Sequence, residues 1–196
     1  MLSQNKAEII GLLCAEGNYY DKRTSYWEYY KDRQKYYYKK NKRSVNIQFG
    51  NFDMSLLKHF QNLLNIEYNY TPKIEEDRVR ICRRDVIKDL INYSDYGCLK
   101  WHVPQDIIKN KDLSIRFLRG YFEGDGCAKN KLVYCSSNIK GLYQVQLMLK
   151  KLGILFTLQG PYFRQGKENE YFVYIRRKSW KKFLKVINPK FKTKTL

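Results

Sequence analysis

Two carboxylates occupy the same place in two copies of one nine-residue pattern. The first copy is Ile9-Ile10-Gly11-Leu12-Leu13-Cys14-Ala15-Glu16-Gly17, and the second is Leu118-Arg119-Gly120-Tyr121-Phe122-Glu123-Gly124-Asp125-Gly126. Each has Gly at the third place, a small residue at the seventh, an acid at the eighth and Gly at the ninth. One acid–glycine pair alone is an ordinary helix ending, because glycine commonly closes helices. Repetition at one register is different. A carboxylate there faces the negative end of the helix dipole and the unpaired last-turn carbonyls, a mismatch of roughly 0.3–1 kcal/mol. Gly11 and Ala15 are four apart, as are Gly120 and Gly124, so each helix carries a small-residue stripe on one face. Packed stripe to stripe, two such helices approach more closely than the usual separation of roughly 8–10 Å and bring Glu16 and Asp125 together. Adjacent carboxylates repel unless protonated or bridged by a cation. Mg²⁺, a hard ion, accepts carboxylate and phosphate oxygens together. The chemistry anticipated is metal-assisted phosphodiester hydrolysis, with the acids positioning the ions and a lysine offsetting developing negative charge. Lys100 after the first repeat and Lys192 or Lys194 near the C-terminus qualify, and the duplication register sets Lys194 opposite Lys100.

Charge points to the substrate. The 196 residues carry 38 Lys and Arg against 19 acids, a net charge of +19, which favours a polyanionic partner. An apolar fraction of 43% is that of a folded chain despite the charge. The apolar stretches, such as 9–15, fall far short of the ~20 residues a membrane span needs. Glu8 interrupts the N-terminal apolar run, so no signal peptide is expected. Five cysteines without a C-x-x-C pair read as reduced and intracellular. With only two histidines, His59 and His102, a zinc finger or a Ser-His-Asp hydrolase is hard to assemble.

The elements around the motifs repeat as well. Strand 45–49, a helix through Leu56 to Leu64, strands 68–74 and 78–82 and a helix at 85–91 follow the first motif. Strand 132–135, a helix through Leu142 to Leu152, strands 155–162 and 170–176 and a helix at 179–187 follow the second. Val79-Arg80-Ile81 aligns with Val173-Tyr174-Ile175. The expected organisation is a first repeat at 1–98, a linker at 99–112 and a second repeat at 113–196. Residues 19–43 have little counterpart in the second repeat and contain eight Tyr and nine Lys or Arg against three acids. That composition fits either a solvated hairpin or an arm along nucleic acid with Lys31, Arg33 and Lys35 on phosphates; the density of aromatics favours the arm.

The paired motifs resemble the signatures of the LAGLIDADG homing endonucleases in their single-chain, two-motif form, of the archaeal-intron kind. The Leu118–Gly126 copy is the closer, and the likeness extends to Lys100-x-x-x-Pro104 and to the helix ending in Leu152-Gly153-Ile154. The resemblance implies an α+β fold of two pseudo-symmetric α-β-β-α-β-β-α units, with four-stranded antiparallel sheets forming a saddle on the DNA major groove. It implies a monomer that needs no protein partner or membrane and cleaves both strands of double-stranded DNA across the minor groove. Glu16 and Asp125 would hold Mg²⁺, replaceable by Mn²⁺, with Ca²⁺ binding but not supporting cleavage; the carbonyls of Ala15 and Gly124 would help. Asn51 falls where many members have Gln or a similar polar residue near the water network, with Ser137 a weaker counterpart. Glu16 departs from the more usual Asp. Strand alternation offers polar faces independently: Asn46 and Gln48; Asn69, Thr71 and Lys73; Arg78 and Arg80; Thr157 and Gln159; Tyr174 and Arg176. Arg reads guanine and Asn or Gln reads adenine in the major groove. An RNA-splicing maturase or a non-cleaving DNA-binding protein on the same fold is the alternative, and a basic structural or ribosome-associated protein explains the charge but neither motif.

Overall fold

The computed structural model of the protein describes residues 2–163 and 165–192. Its first element is α1 (Gln4–Glu16), capped by the Ser3 hydroxyl accepting from Lys6 N at 3.0 Å. Apart from Glu8 it is apolar and buried from Ala7 to Cys14, as a central helix must be. The strands β1 (Gly17–Tyr30) and β2 (Lys35–Gly50) follow, then α2 (Met54–Tyr68), β3 (Ile74–Glu75), β4 (Arg78–Ile81) and α3 (Arg84–Ile91). The linker contains a short helix, α4 (Gln105–Lys109). The second repeat is α5 (Lys111–Asp125), β5 (Gly126–Cys127), β6 (Val133–Ser136), α6 (Ile139–Lys151), β7 (Phe156–Tyr162), β8 (Glu170–Ile175) and α7 (Trp180–Ile187).

Each repeat therefore runs α-β-β-α-β-β-α, and the two sheets have matching orders, β1-β2-β4-β3 and β5-β6-β8-β7, with every pairing antiparallel. The fold is α+β, as expected. One face of each sheet supplies the core: Ile47, Phe49, Val79 and Ile81 in the first, Tyr134, Val173 and Ile175 in the second. Between the sheets α1 lies against α5. A Cβ on Gly11 would stand 2.3 Å from the Phe117 carbonyl oxygen, and one on Gly120 would stand 2.3 Å from that of Glu8. The small-residue stripes thus allow backbone-to-backbone packing that no larger side chain permits. Among the described residues no helix is long and apolar enough to cross a membrane.

One local expectation is corrected. No strand spans 68–74: α2 runs on to Tyr68 and ends on Asn69 in the left-handed conformation (φ 46), leaving only Ile74–Glu75 as β3. Asn69 and Thr71 therefore lie at a helix end, where Thr71 Oγ1 donates to Asn65 Oδ1 at 3.1 Å and the Asn69 carbonyl accepts from Arg83 at 3.3 Å. The Tyr/Lys-rich segment, which has little counterpart in the second repeat, forms a hairpin. It is the outer part of the β1–β2 ribbon, which is register-paired from Gly17↔Phe49 to Tyr30↔Lys35.

Candidate active site and nucleic-acid interface

Both motif helices end at their acid. The Gly17 N–H caps the Leu13 carbonyl and the Gly126 N–H caps that of Phe122, after which each chain passes directly into a strand. The carbonyls of Ala15 and Gly124 fall in the last turns, which lack intrahelical donors. At this end the helices are so close that a Cβ on Gly124 would stand 2.4 Å from Ala15 Cβ and 3.3 Å from Glu16 Cγ. Glu16 and Asp125, more than a hundred positions apart, consequently line one cavity of about 290 Å³, with Asn18, Trp101, Cys135, Ser136, Ser137 and Glu170 around them.

Electrostatics at this point is unfavourable to two bare charges. Burial pushes the Asp125 carboxyl well above the ordinary range, and the Glu16 charge pushes it further; Lys192 pulls it back. Burial also raises Glu16, with Lys192 opposing. The Tyr121 hydroxyl lies 3.5 Å from Asp125 Oδ2 and donates to the Cys135 carbonyl at 3.0 Å. Cys135 Sγ donates to the Asp125 backbone carbonyl at 2.8 Å, and burial pushes this thiol up to about 12. The donors available to a metal are thus carboxylate and carbonyl oxygens rather than a thiolate, which fits Mg²⁺, Mn²⁺ or Ca²⁺ better than a soft ion.

On the first repeat's side, Glu16 also borders a second cleft lined by Asn18, Tyr20, Gln48, Asn51, Arg78 and Lys192 among others. Asn51 is fixed there, its Oδ1 accepting from Asp53 N at 2.9 Å and its N–H donating to the Asp77 carbonyl at 2.8 Å. Among the described residues, the cation next to the acids is Lys192. Lys194 lies outside the described residues. Lys100 is exposed in the 97–100 turn, where a Cβ on Gly97 would lie 3.9 Å from Lys100 Cδ and 3.8 Å from Asn18 Oδ1.

The polar faces are ordered. Gln48 Nε2 donates to Asn46 Oδ1 at 2.9 Å, and Arg78 Nη1 donates to Gln48 Oε1 at 3.3 Å. Arg80 pairs with Glu75 at 3.0 Å, while its buried Nε lacks a hydrogen-bond partner among the described residues. Lys73 lies alongside Arg78 and Arg80. In the second sheet, Thr157 and Gln159 are exposed, Arg176 Nε donates to Thr157 Oγ1 at 3.2 Å, and Lys131 sits 4.8 Å over the Tyr174 ring. Asn46 is the exception, at 6% exposed. Along the outer ribbon, Trp27 pairs with Tyr38 and Tyr29 with Tyr36 at centroid distances of 5.2 and 4.9 Å. Lys31 and Arg33 occupy its turn and Lys35 opens β2 opposite Tyr30.

One buried acid escaped the sequence reading. Glu8 is 1% exposed and is held by His59 at 2.7 Å, Arg116 at 3.1 Å and Arg119 at 3.9 Å. Burial pushes its carboxyl up, but these partners outweigh burial and hold it below the ordinary range. The acid inside an apolar run was the visible signal; its partners, 51 and 108 positions distant, were not.

A family model described as LAGLIDADG-like domain matches residues 112–188. No curated protein matches the chain by sequence. Among solved structures, I-DmoI in complex with DNA and Mn is similar at 21% identity and a TM-score of 0.68, covering 95% of this chain and 97% of that one. I-DmoI in complex with DNA and Ca gives 20% and 0.69, covering 95% and 90%. A mesophilic variant of the homing endonuclease I-DmoI gives 22% and 0.66, covering 95% and 96%. Residues 112–188 thus match the LAGLIDADG-like domain, and the described chain as a whole has the fold of I-DmoI.

Proposed function

We propose that this protein is a site-specific, double-strand DNA homing endonuclease, intron-encoded and acting as a monomer. The observation that carries the reading is the carboxylate pair: Glu16 and Asp125, contributed by different repeats, share one cavity, where burial raises the proton affinity of both and the Glu16 charge raises that of Asp125 further. An acid pair kept at such electrostatic cost serves a cation and an anionic substrate better than it serves the fold. The similar I-DmoI structures contain DNA with Mn or Ca, which supports both ligands for this chain.

The Glu16 and Asp125 carboxylates, with the Ala15 and Gly124 carbonyls, would hold Mg²⁺ or Mn²⁺; Ca²⁺ would bind without supporting cleavage. The bound metal supplies an activated water and charge stabilisation at the leaving oxygen. Lys192 lies where it can offset negative charge developing on the phosphate. Asn51 and Gln48 border the same cleft and can order water or hold the backbone at the scissile step. The strand faces carrying Gln48, Arg78, Arg80, Thr157, Gln159, Tyr174 and Arg176 would read base edges in the major groove, placing the acid pair across the minor groove. Lys31, Arg33 and Lys35 would extend the phosphate contacts along one flank.

A randomised duplex library incubated with the protein and Mg²⁺, followed by sequencing of new ends, tests the reading. Cleavage by the parent chain, abolished in both Glu16→Gln and Asp125→Asn with binding retained, supports it. Binding without cleavage in the parent supports a maturase or a DNA-binding protein instead, and no salt-sensitive binding leaves a basic structural protein.

A further inference from the structure

The segment after α7 is organised more tightly than a trailing end requires. Helix α7 closes on Asn188 in the left-handed conformation (φ 51), and Arg119 Nε holds its end by donating to the Ile187 carbonyl at 2.7 Å. The chain then crosses the end of α5, where Glu123 is 1% exposed. The Glu123 carboxylate accepts from three successive backbone N–H groups: Lys190, Phe191 at 3.1 Å to each oxygen, and Lys192 at 3.0 Å. Phe191 reaches into the other repeat, its ring 5.3 Å from that of His59. Lys192 then enters the cleft bordered by Glu16, Asn51 and Gln48.

Helix α5 itself does not demand an acid at 123. The matching place in the first motif is Cys14, whose thiol lies 3.7 Å from Ser94 Oγ and 4.0 Å from the His102 carbonyl, an uncharged contact with the segment after α3. A buried carboxylate needs donors, and those of Glu123 include the amides that fix where Lys192 emerges.

We infer that Glu123 is a positioning residue, holding the backbone of 190–192 so that Lys192, delivered by the second repeat, serves the carboxylate pair from the first repeat's side. For the cleavage rate the inference rests on the nuclease reading; for cation binding it does not. A lysine beside the two acids competes with a metal for them, yet supplies positive charge to a phosphate. Removing it should therefore tighten metal binding while slowing cleavage, a split that simple damage to the fold would not produce.

The test measures Mn²⁺ affinity by electron paramagnetic resonance and single-turnover DNA cleavage for the full chain, Lys192→Met, Glu123→Gln and the double variant. Lys192→Met is expected to raise Mn²⁺ affinity by roughly three- to tenfold and to slow cleavage by roughly 10–10³-fold. Glu123→Gln should move both readouts in the same directions and add nothing in the Lys192→Met background. Weaker Mn²⁺ binding in Glu123→Gln, or effects that add in full, overturns the inference. Should Glu123→Gln fold poorly, hydrogen exchange in the parent decides: protected amides at 190–192 support the clamp, and amides exchanging as in an unstructured chain refute it. A parent chain that binds Mn²⁺ but cuts no DNA sinks the nuclease reading, and the affinity comparison then decides the clamp alone.

Discussion

Gly11 and Gly120 face each other across the centre of the molecule, each helix placing its glycine against the other's backbone: a Cβ at either would stand 2.3 Å from a carbonyl oxygen of the opposite helix. This reciprocal contact sets the separation of α1 and α5, and with it the separation of Glu16 and Asp125 one turn further on.

Gly11→Ala and Gly120→Ala should each be damaging, because the opposing atoms are backbone and cannot rotate away. Overpacking of this kind costs about 1–3 kcal/mol or more. Urea denaturation is expected to show the loss, and cleavage should fall further than stability because the acids move apart. Wild-type stability in either variant would mean that the helices do not touch at these glycines.

The carboxylate pair should behave oppositely with respect to stability. Asp125 and Glu16 are raised by burial, and Asp125 further by its neighbour, so in the metal-free protein the pair's contribution to stability is fully present below the ordinary carboxylate range and is lost as pH rises through their elevated values. Asp125→Asn should raise the melting temperature of the metal-free protein at pH 7, each kcal/mol being about 2–4 °C for a chain of this size. Mg²⁺ should stabilise the parent and leave the variant nearly unmoved. Calorimetry with and without Mg²⁺ checks both.

Glu8 gives the reverse slope. Its carboxyl is held below the ordinary range by His59, Arg119 and Arg116, which outweigh burial, so this cluster contributes stability above about pH 4.3 that disappears as pH falls through the lower, folded value. Acid titration of the parent should show that loss, and Glu8→Gln should be less stable at pH 7 but flatter toward acid. An unchanged acid limb in Glu8→Gln would remove the cluster from the account.

Much of this was legible in the chain because it depends on spacing. The third-place glycines, the small seventh residues and the two acids foretold the helix pair, and the alternation of Arg78-Val79-Arg80-Ile81 foretold which face is core: Val79 and Ile81 are buried, the arginines half-exposed. What failed depended on conformation or on long-range partners. Asn69 ends α2 in a left-handed cap, which the β-branched and aromatic residues around it disguised as a strand start. The first strand of each hairpin was missed: β5 is two residues long, and β1 is mostly exposed, so neither carries an apolar alternation to read. Lys192 and Glu123 were visible as types, but their meeting depends on where α7 stops and how the chain turns.

Nucleic-acid binding should separate reading from positioning. Arg80→Ala, on the polar sheet face, should weaken binding of the preferred site roughly tenfold or more and relax discrimination at one base pair. Lys35→Ala, on the outer ribbon, should weaken all sequences alike and lower the salt slope by about one unit. Fluorescence anisotropy across a salt series distinguishes the two, and identical behaviour of both variants would contradict the assignment of the two surfaces.

The central claim is that two repeats close one oxygen-lined cation site on a phosphodiester. Its most direct test is the anomalous scattering of Mn²⁺ in crystals of the protein with its DNA. The account predicts a peak within about 2.0–2.4 Å of carboxylate oxygens from both Glu16 and Asp125 and beside a backbone phosphate. Manganese bound elsewhere, with these two side chains empty of metal, would contradict it.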